Sequence, residues 1–63
     1  MAAFEVDQKV IYGNAETYRI KEVRENASGG WEYKLKEKNG KEHVINQGGR
    51  YKHWYDESEL KAA

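Results

Sequence analysis

The dipeptide Asn39-Gly40 lies inside "WEYKLKEKNGKEHVI" (31–45), where Trp31, Tyr33 and Leu35 alternate with Glu32, Lys34 and Lys36. Alternation of period two marks a strand that is dry on one face and wet on the other. Asn-Gly tolerates the positive backbone dihedrals of a tight reversal, so the chain doubles back here as an antiparallel hairpin. Two registers compete. A two-residue loop sets Glu37 opposite Glu42 and Lys38 opposite Lys41, which opposes like charges but places Val44 across from Leu35. A three-residue loop with a bulge at Gly40 pairs Glu37 with Lys41 and Lys36 with Glu42, and puts His43 across from Leu35. The charges favour the bulged form.

A hairpin needs a core to lie on, and 63 residues make only one small domain, 1–63. Domains of this size bury only about 60% of the surface their unfolded chains expose. With no cysteine to supply a disulfide, the burden falls on two tryptophans, five tyrosines and one phenylalanine. Trp31, Tyr33, Leu35, Tyr18 and Ile20 are the expected core. Upstream, "KVIYG" (9–13) reads as a short strand and "TYRIKEVRE" (17–25) as a longer one, closed by the turn "NASGG" (26–30). The sequon at Asn26 marks no more than that loop. Ile20, Val23 and Ala27 also fit a helix over 15–27 with Asn14 as its cap. The Tyr18/Ile20 alternation and the β-favouring Thr17, Tyr18, Ile20 and Val23 favour a strand, bulged where Val23 changes face. At the other end, Asp56 with Glu59 three residues on predicts one helical or 3₁₀ turn that drops Leu60 onto the core.

Strand, strand, strand, tight turn, strand, loop, strand and final turn make an all-β antiparallel meander of about five strands, which hides its edges by curling. The segments "VDQKVIYG", "YRIKEV", "WEYKLKEKNGKEHVI" and "WYDESEL" resemble the SH3-like small barrels, in the Tudor and KOW style, of small bacterial and phage proteins. Asp7 and Val10 stand near the positions of the opening "G-D-x-V" pattern, with Val6 in place of its glycine, and Glu57 and Leu60 stand near those of the closing "E-x-L". The connection "NQGGRYK" (46–52) departs from that pattern. The resemblance implies a small antiparallel barrel, and a fold alone does not imply a function.

No apolar run approaches the roughly 20 residues of a membrane span, and "MAAFEVDQK" lacks the features of a signal peptide, so the expectation is a cytoplasmic protein without membrane contact. Formal net charge is zero, yet from Tyr33 to His53 six bases face two acids, a local excess of +4. Such a segment suits an anionic partner, or merely solvates the outer face of a sheet and protects its edges.

No catalytic constellation is legible. His43 and His53 lie ten residues apart without metal-ligand spacing, Ser28 and Ser58 read as turn and cap residues, and neither glycine pair belongs to a phosphate-loop motif. Catalysis also wants a pocket of about 300 Å³ or more, whereas a barrel this small fills itself with side chains. The expectation is a non-enzymatic binding module without metal or cofactor, monomeric or weakly homo-oligomeric. Its predicted surface comprises Tyr12, Lys34, Lys36, Lys38, Arg50, Tyr51, Lys52 and Trp54. A protein partner is the first reading, because exposed aromatics and arginine carry interface energy. Nucleic acid is the alternative, with bases stacked on Tyr33, Tyr51 or Trp54 and lysines on phosphate. A structural subunit of a larger assembly, such as a phage particle, is a third.

The stretch "GGRYKHWYDESEL" (48–60) bears on all three. Read as one strand from Arg50, it alternates Tyr51, His53 and Tyr55 with Arg50, Lys52 and Trp54. If Tyr55 and Leu60 close the core, Trp54 stays outside between Arg50 and Lys52.

Overall fold

The computed structural model describes residues 2–13 and 16–63. Strands β1 (Lys9–Tyr12), β2 (Glu16–Glu25), β3 (Trp31–Lys36) and β4 (Glu42–His43) form an antiparallel meander. Then come β5 (Ile45–Gln47), β6 (Arg50–Lys52), β7 (Tyr55–Asp56), a 3₁₀ turn (Glu57–Glu59) and β8 (Leu60–Ala62). The main sheet runs β4-β3-β2-β1-β8, with β7 also on β3, while β5 and β6 form a separate ribbon. The protein is thus all-β and antiparallel, with a lone 3₁₀ turn among the described residues. No described helix is long and apolar enough to cross a membrane.

The hairpin takes the bulged register. Leu35 faces His43 and Lys36 faces Glu42, while the Glu37 amide donates to the Lys41 carbonyl at 2.8 Å. Gly40 supplies φ +86°, a conformation that costs a residue with Cβ roughly 1–2 kcal/mol. Residues 16–25 form a strand, not a helix; the proposed cap Asn14 lies outside the described residues. The register shifts between Ile20 and Glu22, leaving Lys21 as the extra residue. That bulge lets Ile20 and Val23, three apart, both face the core, opposite Leu35 and Tyr33. Asn26 builds the next turn, its Oδ1 accepting from the amides of Ser28 and Gly30.

β2 is longer than its neighbours because it serves two of them. Its first half pairs with β1 and its second with β3, and Arg19 belongs to both ladders. Val10, Ile20, Tyr33, Leu35 and Tyr55 are fully buried, with Phe4 and Leu60 nearly so. Trp31 and Tyr18, expected inside, are half-buried against this core.

The count of about five strands does not hold, because the second half of the chain breaks up. β4 and β7 share the edge of β3 that β2 leaves open, β4 at Leu35–Lys36 and β7 at Glu32–Tyr33. The segment between them leaves the sheet and pairs with itself, Ile45 with Lys52, Asn46 with Tyr51 and Gln47 with Arg50. Gly48 and Gly49, at φ +62° and +90°, make the two-residue reversal. The connection expected over 46–52 is therefore a β-ribbon. The single strand expected from Arg50 to Tyr55 is interrupted at His53 and Trp54, so its alternation fails: Tyr51 is 62% exposed and Tyr55 is buried. The terminal turn forms as expected. The Asp56 amide donates to Glu59 Oε2 at 2.9 Å, and Leu60 drops into the core.

Candidate binding surface

Most of the expected lysines are engaged by acids. Lys34 Nζ lies 3.1 Å from Glu22 and 3.8 Å from Glu42, Lys36 pairs with Asp7, and Lys52 Nζ lies 2.6 Å from Glu59. Lys38 and Arg50 are exposed and form no ion pair among the described residues. The +4 segment of sequence is thus dispersed, because its counter-charges arrive from β2, the N-terminal segment and the 3₁₀ turn.

Trp54 does stay outside the core, as the burial of Tyr55 and Leu60 requires, but its neighbours are not Arg50 and Lys52. Arg24 Cζ sits 3.8 Å over its ring and Lys34 Nζ 5.0 Å from the ring centre, at cation–π distance. Arg24 also holds Glu32 at 2.6 Å. Lys52 instead reaches over Tyr55, 5.4 Å from its ring centre. Glu42 joins this network to the hairpin: it accepts from His53 Nδ1 at 2.7 Å and lies 3.5 Å from Lys21. The His53 hydrogen bond, followed by the fields of Lys34 and Lys21, holds its carboxyl below the usual range.

Tyr12 is a packing residue. Its ring meets Tyr55 edge-on at 4.9 Å and His43 at 6.5 Å, while Tyr18 stacks on His43 at 4.3 Å. The Tyr18 hydroxyl donates to Glu16, and His43 Nδ1 lies 3.0 Å from Glu37. Burial first, and the Glu16 hydrogen bond second, push the Tyr18 hydroxyl up to about 12. Neither Tyr18 nor His43 stood out in the sequence as part of a site. The bulged register, which sets His43 across from Leu35, was the available signal.

That leaves Lys38, Arg50 and Tyr51 as the free members of the predicted surface, the last two adjacent on β6. Tyr51 and Val6 are the only exposed large hydrophobics among the described residues, at 62% and 56%. Two open depressions lie on the surface. One, of about 360 Å³, crosses β1, β2 and the end of β3; the other, of about 610 Å³, lies beside Trp54 and Glu59. Among the described residues, no group of three acidic or histidine side chains is spaced to hold a metal ion. The chain matches no protein-family model, no curated protein and no solved structure.

Proposed function

We propose that the chain is an SH3-like barrel that binds a protein partner through the β5–β6 ribbon, with Tyr51 and Arg50 as the contact residues. The barrel reading is supported by the segment Tyr55–Ala62. Its start pairs with β3, its end pairs with β1, and the 3₁₀ turn bridges the two, so one stretch of chain spans both sides of the meander.

The observation that carries the binding reading is the 62% exposure of Tyr51 beside an arginine without an ion-pair partner among the described residues. Tyrosine and arginine are enriched among the residues that dominate interface energies. Beyond their mutual pairing, β5 and β6 have no described strand on their outer edges, and such an edge can receive an extended peptide. Ion pairing of Lys34, Lys36 and Lys52 weighs against the nucleic-acid surface expected on those residues.

The test is capture from a native lysate by wild type and by Arg50→Ala/Tyr51→Ala, with folding of both checked by amide NMR spectra. A protein retained by wild type and lost by the folded variant supports the reading. Identical captures overturn it.

A further inference from the structure

The registers of β1, β2 and β3 bring together three cations that the sequence keeps far apart. Lys9 on β1 faces Arg19 on β2, and Arg19 faces Lys36 on β3. Their neighbours Val10, Ile20 and Leu35 point into the core at zero exposure, so the three cations share the outer face. Like charges directly opposed across strands destabilise a sheet, and here two such pairs stand in one row. The 360 Å³ depression lies over this row, with Glu37, Lys38 and Gly40 at one end and Thr17 and Tyr18 in its wall, so four cations and one carboxylate line it.

The nearby acids neutralise only one member of the row, Lys36. Asp7 takes Lys36, and its carbonyl oxygen accepts from Arg19 Nη1 at 2.9 Å, which fixes the guanidinium without cancelling its charge. Glu37 lies against His43, and Glu42, next in the row beyond Lys36, is engaged by His53, Lys21 and Lys34. Lys9, Arg19 and Lys38 have no ion-pair partner among the described residues.

We propose that this depression binds a phosphate-bearing ligand, with Lys9, Arg19 and Lys38 as the anion contacts and Lys36 completing the row. Strands lie about 4.8 Å apart, so the row spans roughly 10 Å, which favours two linked phosphate groups over a single small anion. The groups belong either to a diphosphate, as in a nucleotide, or to successive positions of a nucleic-acid strand. This site lies away from the β5–β6 ribbon and is independent of the protein-binding proposal.

The experiment is an amide NMR titration at low salt with inorganic diphosphate and, separately, with an eight-residue oligothymidylate. Wild type is compared with Lys9→Gln, Arg19→Gln and Lys21→Gln. Lys21→Gln removes the same charge outside the depression. Shifts centred on residues 17–19 and 36–40, weakened at least five-fold by Lys9→Gln and by Arg19→Gln but less than two-fold by Lys21→Gln, support the site. Tighter binding of diphosphate identifies a nucleotide-type ligand; tighter binding of the oligonucleotide, with a steep salt dependence, identifies a strand. No shifts at 10 mM diphosphate and none with the oligonucleotide overturn the proposal, as do equal losses in all three variants or shifts confined to residues outside the depression.

Discussion

The hydroxyl of Tyr33 donates to Glu57 Oε1 at 2.6 Å, from a side chain that is otherwise wholly buried. The same carboxylate oxygen accepts from the Ala3 amide at 3.0 Å, and the Tyr33 hydroxyl accepts from the Phe4 amide at 3.4 Å. One pair therefore pins the N-terminal segment, the central strand and the 3₁₀ turn together. Tyr33→Phe removes the bond without changing the core shape. A hydrogen bond to a partly exposed carboxylate contributes about 1 kcal/mol, and in a domain this small its loss lowers the melting temperature by about 4–8 °C. Calorimetry of the two proteins measures the difference, and an unchanged midpoint would remove the pair from the account of stability.

The Glu57 carboxyl is held below its ordinary 4.5, first by the Tyr33 hydrogen bond and then by the Ala3 amide. Because the folded form binds its proton less readily than the unfolded one, this contribution is complete above about pH 4.5 and disappears as acidity rises through the lower folded value. The expected result is a melting midpoint that falls below pH 4.5, with a shallower fall in Glu57→Gln. Parallel curves for the two proteins would contradict it.

Alkaline conditions act through the buried phenols. Burial, then the negative fields of other side chains, pushes Tyr55 up to about 12 from an ordinary 10.0, and its hydroxyl donates to the His43 carbonyl at 3.2 Å. The unfolded chain loses these protons first, so stability present below pH 10 declines as the pH climbs toward 12. Ultraviolet titration at 295 nm is expected to show phenol ionisation extending to about pH 12, with a smaller amplitude there in Tyr55→Phe. Tyr55→Phe is expected to flatten the alkaline decline in midpoint.

Gly40 adopts φ +86°, and a Cβ placed there meets nothing within 4 Å. Any cost of Gly40→Ala is therefore backbone strain and not a clash, roughly 1–2 kcal/mol. Urea unfolding should show a lower midpoint for Gly40→Ala and a smaller loss for Gly40→Asn, since asparagine visits this conformation more readily. Equal stability of all three would mean that the hairpin had shifted to another register.

Trp54 and Tyr51 separate stability from recognition. The face of Trp54 is covered by Arg24, so Trp54→Ala is expected to cost about 1 kcal/mol of stability and to leave partner capture intact. Tyr51→Ala is expected to do the reverse. Chemical denaturation and lysate capture, run side by side on both variants, decide the assignment.

The local features of this fold were legible because their causes are local. Asn39-Gly40 and its flanking charges specify the bulged hairpin, Tyr18, Ile20 and Val23 specify a bulged strand, and Asp56 with Glu59 specifies the turn before Leu60. What was hidden depends on partners distant in the chain. Phe4 joins the core against Tyr33, 5.3 Å between ring centres, although its surroundings carry no periodic pattern. Lys36 meets Asp7 and Trp54 meets Arg24, contacts that no charge count along the sequence assigns. The break at His53 and Trp54 follows from a limit on space, since β4 already occupies part of the β3 edge that a continuous strand would need.

β8 completes the sheet by pairing Leu60, Lys61 and Ala62 with Tyr12, Ile11 and Val10, at the far end of the chain. All of β2 to β7 must be synthesised before the outer edge of β1 finds its partner. Until then β1 is an open edge bearing Val10 and Ile11, the kind of site at which nascent chains pair with one another. Docking of β8 thus decides whether that edge is closed within the chain or left open to other strands.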